Sequence, residues 1–251
     1  MDRFVAWEGF ANARDLGFLP RVDGGATTPS RVVRSGTLAF VTEAGWGSAV
    51  SAGVRTIIDL RNDHEVGRIR DAALARSRKG VFPPPSAPPP ELQRVRVPID
   101  DTEDVEFWQE IRTAGLDGTP LYVGPFIRRK ARQCAEAVRA IAAAEAGGVI
   151  FHCQAGRDRT GIVALLMLSL AGVEPSAIAA DYALSGPALT PLFASLGMPD
   201  QTDLIDEMLR QHGTTTSEAI MDVLHGLDVT ELLRNGGLSD DELGAARSRL
   251  V

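Results

Sequence analysis

The stretch from residue 149 to residue 173 constrains the fold most, because it joins three kinds of local structure in a short span. Val149 to His152 is an apolar, β-branched segment that predicts a buried strand. The glycine-containing loop HCQAGRDRTG follows at 152–161 and leads into an apolar run that ends at Val173. That run is shorter than the roughly 20 residues of a bilayer span and suits a buried helix. The segment therefore predicts strand, tight loop and helix.

Three other segments predict further strands. Residues 31–35 are rich in valine, and residues 54–60 form the continuous apolar run of a strand covered on both faces. Residues 92–99 alternate apolar and polar side chains until Pro98, which is typical of an outer strand. Residues 42–51 predict a helix between the first two strands. We expect an α/β fold with a mainly parallel central sheet of about four to five strands, helices on both faces, and extra helices C-terminal to the motif.

Two helices can be placed by their patterns. Apolar residues recur at helical spacing over 125–146 and put Cys134 on the buried face, where a thiol lacks the setting that reactivity needs. The cationic run at 128–132 in the same helix is expected to face solvent, with contact to an anionic substrate as the alternative. Near the C-terminus, Ser239 and Glu242 form a capping box that predicts a final helix.

The segment VFPPPSAPPP at 81–90 is dominated by proline and favours an extended surface loop. The alternative is that its Pro-x-x-Pro spacing at 85–88 binds a proline-recognition module. Proline-rich loops commonly serve as connections, so the loop interpretation is preferred.

Composition bounds the class of protein. The chain is 44% hydrophobic and 24% charged, as in ordinary globular proteins. Its net charge of -7 argues against binding to nucleic acid or anionic membranes, so an anionic substrate would need a local positive site. Two cysteines make no disulfide framework and indicate a reducing compartment, for which we expect the cytoplasm, with export without a cleavable signal left open. The histidines show no ligand spacing, so no metal is expected.

The loop's residue types suit phosphate chemistry. A loop that enters a helix directs several backbone N–H groups, and the positive end of the helix dipole, at one point. Gly156 permits tight backbone turns, and Arg159 provides a planar fork of donors for phosphate oxygens. Cations and helix N-termini lower a thiol's pKa from about 8.5 to about 3.5–7.5, which favours a thiolate at Cys153. Attack on a phosphate monoester would form a cysteinyl-phosphate.

The string His152-Cys153-x5-Arg159-Thr160-Gly161 resembles the active-site loop of cysteine-dependent protein tyrosine and dual-specificity phosphatases. The full loop is most similar to a bacterial tyrosine phosphatase subgroup that reads His-Cys-x-Ala-Gly-Lys-Asp-Arg-Thr-Gly. The resemblance spans roughly residues 10 to 250 and implies one catalytic domain over 1–251, with helices at about 181–225 as a lid over the site. Supporting elements occur in the expected order: Asn12 to Gly17, Arg34-Ser35, Asp59 to Arg61 with Glu65, and Asp181-Tyr182 with Ser185.

The resemblance implies a role for each loop residue. Cys153 would be the nucleophile, Arg159 the phosphate clamp, and Thr160 a hydrogen-bond donor to the thiolate. His152 would brace the loop rather than transfer protons. Neither a cofactor nor a metal is implied. The phosphate cradle would be formed by Gln154, Ala155, Gly156, Arg157, Asp158 and Arg159.

The general acid has more than one candidate. The resemblance favours Asp158, and a carboxylic acid there could supply about 10² to 10⁴ in rate. Asp100 and Asp101 follow the third predicted strand and are alternatives, because a strand end can deliver a side chain to the pocket. Arg157 stands where the subgroup has a lysine associated with phosphoinositide substrates, so lipid specificity is left open.

The predicted function is a protein tyrosine phosphatase, including dual specificity, with inorganic phosphate as product and inhibitor. Its substrates would be phosphorylated proteins, small phosphomonoesters or phosphoinositides, without nucleic-acid or integral-membrane partners. The alternatives are a phosphoinositide phosphatase, a catalytically silent phosphate-binding module, and an arsenate-reductase or rhodanese type of enzyme. The charges accompanying the motif are expected to form ion pairs, and Asp181-Tyr182 to pack a helix beneath the loop. Those charges are Arg14, Asp15, Asp59, Arg61 and Glu65.

Overall fold

The computed structural model describes residues 3–66, 71, 73–75, 77, 80 and 82–251. In these residues a five-stranded sheet has the order β1-β2-β5-β3-β4. β1 pairs antiparallel to β2, and every other pairing is parallel, which confirms the predicted α/β class. The strands are β1 Arg14–Asp15, β2 Val32–Ser35, β3 Val54–Asp59, β4 Gln93–Arg96 and β5 Gly148–His152.

The motif strand β5 lies at the centre of the sheet, between β2 and β3. All of its residues are buried, because neighbouring strands flank it and helices cover both faces. β4 is the outer strand that its sequence predicts, although it is shorter than 92–99, since Pro98 has no N–H for the ladder. The two-residue β1 at the opposite edge was not predicted, because so short a segment has no detectable periodicity.

One face of the sheet packs on the helix α1, Glu43–Ser51. Its Trp46 is buried with Ile57 of β3 and Ile150 of β5. The predicted start at Thr42 is confirmed, because the Thr42 side chain accepts a hydrogen bond from the amide of Gly45 and so caps the helix. The larger core lies on the other face, where the helix that follows the motif is packed.

Ten further helices lie in the described residues after β4. The capping box of the last one is formed as predicted, with Leu243 and Ala246 buried. Two single 3₁₀ turns lie at Asp63–Glu65 and Pro120–Tyr122. The helices are α2 Val105–Thr113, α3 Val123–Arg129, α4 Ala131–Ala143, α5 Arg159–Leu170, α6 Pro175–Ala183, α7 Ser185–Leu196, α8 Thr202–Gln211, α9 Thr216–His225, α10 Val229–Asn235 and α11 Asp240–Ser248.

The prediction of one helix over 125–146 is wrong, because α3 and α4 are separate and Lys130 lies between them with φ -113° and ψ 32°. The prediction that the whole cationic run faces solvent is wrong at the same residue. The Lys130 side chain is 2% exposed, and its Nζ lies 2.6 Å from Asp104 and 3.3 Å from Asp101. A buried ammonium needs such partners, and the break in the helix places it between them.

Residue 81 of the predicted proline-rich loop lies outside the described residues, and 82–90 contains neither helix nor strand. Ser86 joins this loop to the α1 face: its amide donates to the carbonyl of Val41 at 2.8 Å, and its carbonyl accepts from Trp46 Nε1 at 3.2 Å. The segment is thereby held against the sheet layer.

Candidate active site

The motif forms a loop at the carboxyl end of the central strand. Cys153 follows β5 directly, and Arg159 is the first residue of α5. Gly156 has a φ of +74°, a conformation that favours glycine, and a Cβ there would lie 2.6 Å from the Ser35 carbonyl oxygen. The loop can therefore pack directly against the end of β2 only with glycine at this position.

Three consecutive carbonyl groups of the loop accept hydrogen bonds from residues outside the loop. The Gln154 oxygen accepts from the amide of Thr37 at 2.8 Å, and the Ala155 oxygen accepts from Asn12 Nδ2 at 3.1 Å. The Gly156 oxygen accepts from the Arg34 guanidinium at 2.7 Å. In a trans peptide the N–H points opposite to the C=O, so the amides that follow these carbonyls face the inside of the loop. This orientation fits the predicted cradle of N–H groups, whose binding of phosphate stays a prediction.

The Cys153 sulfur lies at the base of this cradle. Its Sγ accepts a hydrogen bond from the amide of Gly156 at 3.3 Å, and the residue is 2% exposed. Cys134 provides the contrast: it is buried in α4 as predicted, and burial raises the pKa of its thiol to about 12. Only Cys153 therefore combines a thiol with inward-facing N–H donors.

The guanidinium of Arg159 is held by a carboxylate from another part of the chain. Glu65 accepts from both terminal nitrogens, at 2.6 Å and 2.7 Å. Burial opposes ionisation of Glu65, but the hydrogen bonds from Arg159 hold the pKa of that carboxyl below its ordinary value. A bidentate pair of this kind orients a guanidinium before substrate binds. The sequence argument treated Glu65 as a loop-pairing charge and missed its contact with the motif.

The three candidate acids lie in different surroundings. Asp158 Oδ1 lies 3.2 Å from Arg157 Nε, with a quarter of the side chain exposed. Asp100 Oδ2 lies 3.2 Å from Arg159 Nη1, and burial raises the pKa of Asp100 to about 6 although Arg159 opposes the rise. Asp101 is engaged by Lys130 instead. Of the three candidate acids, Asp158 and Asp100 are therefore the two that lie beside the arginines of the loop.

The two remaining motif residues have defined partners. His152 Nδ1 lies 3.1 Å from the carbonyl oxygen of Cys153, and burial lowers the pKa of the imidazole to about 4, so the ring is neutral at neutral pH. This setting fits a bracing residue. The Thr160 hydroxyl donates to the carbonyl of Ser35 at 3.4 Å, so its contact with the thiolate stays a prediction.

Arg157 extends from the loop towards the helices that follow it. Its Nη2 lies 3.3 Å from the Gln201 side-chain oxygen, and the residue lines a cavity of about 490 Å³. Tyr182 of α6, Ile205 and Leu209 of α8 also line this cavity, which is mostly apolar. Helices α7 to α9 fall in the predicted 181–225 region, whose role as a lid stays a prediction.

A buried ion cluster lies behind the loop, in the place where Asp181 is expected to pack a helix. The Asp181 carboxylate pairs with Arg3 at 2.7 Å, Arg14 at 3.0 Å and Arg34 at 2.6 Å. Tyr182, the next residue, packs so closely that a Cβ on Gly161 would lie 2.5 Å from its ring. The sequence elements around the motif therefore converge beneath it. Of this cluster only Arg14 was expected to form an ion pair, and the gathering of three guanidiniums on the Asp181 carboxylate was not expected.

The expected pairing of Asp59 and Arg61 also forms, whereas that of Asp15 is wrong: within the described residues its carboxylate accepts hydrogen bonds from the amides of Gly17 and Ser30 instead of binding a cation. Asp59 at the end of β3 binds Arg61 at 2.6 Å and lies 3.8 Å from His152 Nε2. The described residues contain no group of three or more His, Cys, Asp or Glu side chains arranged to hold a metal ion. In the same part of the chain, every helix is too short or too polar to cross a membrane.

Comparison with known proteins identifies the family. The sequence model of the tyrosine phosphatase family matches residues 5–251, which include the loop and all the elements that contact it. The chain belongs to the tyrosine phosphatase family. The predicted resemblance is thereby confirmed.

Two relatives of this tyrosine phosphatase family member show how far the similarity extends. A tyrosine-protein phosphatase of Nostoc commune is 31% identical over 171 residues, or 68% of this chain and 51% of the relative. The triple specificity protein phosphatase PtpB of Mycobacterium tuberculosis is 25% identical over 236 residues, or 88% of this chain and 84% of the relative. The chain thus spans about half the length of the Nostoc protein.

Proposed function

We propose that this chain is a phosphomonoester hydrolase that dephosphorylates protein phosphotyrosine through a cysteinyl-phosphate intermediate. One observation carries the proposal. The carbonyls of Gln154, Ala155 and Gly156 accept hydrogen bonds from residues outside the loop, which turns the amides that follow them inward, and the Gly156 amide donates to the Cys153 sulfur. An inward ring of N–H donors around a thiol suits a phosphate dianion and the transition state derived from it.

The first chemical step is displacement at phosphorus. The Cys153 thiolate attacks the phosphorus atom, the S–P bond forms, and the bond to the leaving phenol oxygen breaks. The amides and Arg159 stabilise the equatorial oxygens as charge spreads over them. The leaving oxygen takes its proton from a carboxylic acid at the rim of the site.

We propose Asp158 as that acid. It belongs to the loop, so its carboxyl group keeps a constant relation to the cradle, and its partial exposure lets an incoming ester oxygen reach it. Asp100 is the rival, because its pKa of about 6 leaves it largely protonated in mildly acidic solution. Its contact with Arg159 at 3.2 Å supports instead a role in tuning the clamp.

The second step releases phosphate. Water attacks the cysteinyl-phosphate, the S–P bond breaks, and the sulfur departs as a thiolate while inorganic phosphate forms. Thr160 would assist by donating to the departing sulfur after its hydroxyl rotates from Ser35. His152, neutral and bound to the Cys153 carbonyl, would hold the base of the loop during both steps.

The substrate range is proposed to extend beyond phosphotyrosine. The name of the M. tuberculosis relative, a triple specificity phosphatase, supports tolerance of more than one phosphate ester. Phosphoinositides belong to that wider range, where Arg157 would contact further phosphate groups as a planar fork. Both cysteines are free thiols, which supports the proposal that the protein works in the reducing cytoplasm.

Hydrolysis of a phosphotyrosine peptide in EDTA tests the proposal. Wild-type protein should release phosphate, and the Cys153→Ser variant should lose activity while still binding the peptide. Equal turnover by the two proteins would refute the covalent mechanism. Peptide binding without turnover by the wild type would identify the silent phosphate-binding module instead.

Matched asparagine variants separate the two acids. Asp158→Asn should lower kcat by about 10² to 10⁴ on an alkyl phosphate, whose poor leaving group needs the proton, and much less on an activated aryl phosphate. If Asp100→Asn shows that leaving-group dependence and Asp158→Asn does not, the assignment to Asp158 is wrong.

A further inference from the structure

The ion cluster behind the loop is unbalanced in charge. Arg3, Arg14 and Arg34 share the single Asp181 carboxylate, so three positive groups face one negative group. Burial would raise the pKa of Asp181, but the three guanidiniums hold it below its ordinary value. Burial and the neighbouring Arg34 together lower the pKa of Arg14 to about 9, which leaves it charged at neutral pH. The cluster therefore carries two net positive charges, with Arg14, Arg34 and Asp181 fully buried.

Arg34 is the residue of this cluster that contacts the active-site loop. Its Nη2 lies 2.7 Å from the Gly156 carbonyl oxygen, and the Gly156 amide nitrogen lies 3.3 Å from the Cys153 sulfur. Gly156 thus contacts the guanidinium through its carbonyl group and the thiol through its amide. Within the described residues the fully buried Arg34 Nε has no hydrogen-bond partner, so part of the group's positive charge is not offset by a local acceptor.

We propose that Arg34 is a positioning residue that stabilises the Cys153 thiolate and the bound phosphate dianion from behind the loop. It has two actions. Its hydrogen bond turns the Gly156 carbonyl outward, and its charge acts on the sulfur through a low-dielectric interior, where Coulomb interactions are strongest. Asp181 limits this effect by neutralising one of the three guanidiniums. The inference rests on the proposed role of Cys153 as nucleophile.

Other charged groups lie in and around the active-site loop. From the loop itself come Arg157, Asp158 and Arg159, and from other elements Asp100, Glu65 and the Asp59–Arg61 pair. Two buried tyrosines, Tyr122 and Tyr182, and the neutral His152 are also close to the loop charges. None of them is substituted in the Arg34 and Asp181 variants, so a change that is confined to those variants reports on the cluster.

The pH dependence of Cys153 alkylation by iodoacetamide, followed by the mass of the intact protein, tests the proposal. Arg34→Gln should raise the pH midpoint of alkylation by about one unit, as expected for the loss of one nearby charge. Arg34→Lys, which keeps the charge but loses the fork, should stay close to the wild-type midpoint. Asp181→Asn should move the midpoint downward, because it removes the neutralising carboxylate. Inhibition by inorganic phosphate should weaken about tenfold in Arg34→Gln and strengthen in Asp181→Asn.

The control is Arg132→Gln, which removes an equal charge from the exposed side of α4 and should leave the midpoint unchanged. Arg3→Gln, at the partly exposed edge of the cluster, tests the same effect if the buried variants do not fold. Unchanged midpoints in Arg34→Gln and Arg3→Gln, with native circular dichroism, would overturn the proposal. Equal upward shifts in Arg34→Gln and Arg34→Lys would overturn the electrostatic action of Arg34, because they would assign the effect to the hydrogen bond alone. Alkylation needs no turnover, so an inactive wild type would refute the proposed function without affecting this measurement.

Discussion

Replacing Asp100 with asparagine should stabilise the folded protein in neutral solution. The Asp100 side chain is 19% exposed and lies beside Arg159, near Glu65 and Asp158. Burial raises its pKa from 3.8 to about 6; Arg159 opposes the rise, and the acidic neighbours Glu65, Asp158 and Asp117 add to it. A rise of roughly two pKa units corresponds to about 3 kcal/mol of cost for the ionised form.

The sign of the effect depends on pH. The unfolded chain releases this proton near pH 3.8, and the folded chain keeps it until about pH 6. The group's contribution to stability is therefore complete below the lower value and is lost as the pH rises through the higher one. Asparagine resembles the neutral acid, so the free energy of unfolding of Asp100→Asn should increase relative to that of the wild type as the pH rises from 3.8 to about 6. The gain should reach about 3 kcal/mol above pH 6.

Urea denaturation of both proteins at pH 4.0, 5.5 and 7.5 measures this gain as a difference in the free energy of unfolding. Asp222→Asn, on the exposed side of α9, controls for the general effect of removing one carboxylate. The reasoning is refuted if the difference between Asp100→Asn and wild type is independent of pH. It is also refuted if the variant becomes less stable as the pH rises, because that result would mean that Arg159 stabilises the Asp100 carboxylate more than burial opposes it.

Two further predictions concern the loop and the second thiol. Gly156→Ala should cost about 1–3 kcal/mol of stability, measured by urea denaturation, and should weaken phosphate binding, because its φ is +74° and the new Cβ would meet Ser35. Gly47→Ala, in α1 with open space around it, should be neutral or slightly stabilising, and an equal loss there would contradict the argument. Cys134→Ala should leave kcat and the alkylation of one thiol at neutral pH unchanged, because burial raises the pKa of Cys134 to about 12. If Cys134→Ala is no longer alkylated at neutral pH, Cys134 and not Cys153 is the reactive thiol.

Several features were predictable because they depend on residues close together in sequence. The strand, loop and helix around Cys153 follow from an apolar β-branched segment, a glycine and an apolar run, and each has a short-range physical cause. The capping box at Ser239 and the buried position of Cys134 likewise depend on spacing within one helix. The break at Lys130 could not be predicted in this way, because it depends on carboxylates about 26 to 29 residues away in the chain.

The sequence by itself determined the chemistry of this protein: a thiol and an arginine in a glycine loop that must join a buried strand to a helix. Only the tertiary structure decided what holds that loop in shape. Asn12, Arg34 and Thr37 bind its carbonyls, and Glu65 orients Arg159, from segments far away in the chain. The surplus of guanidinium charge around Asp181 has the same origin. The physical reason is that a periodic pattern reports which face of an element is buried, whereas long-range ion pairs depend on how the elements pack against one another.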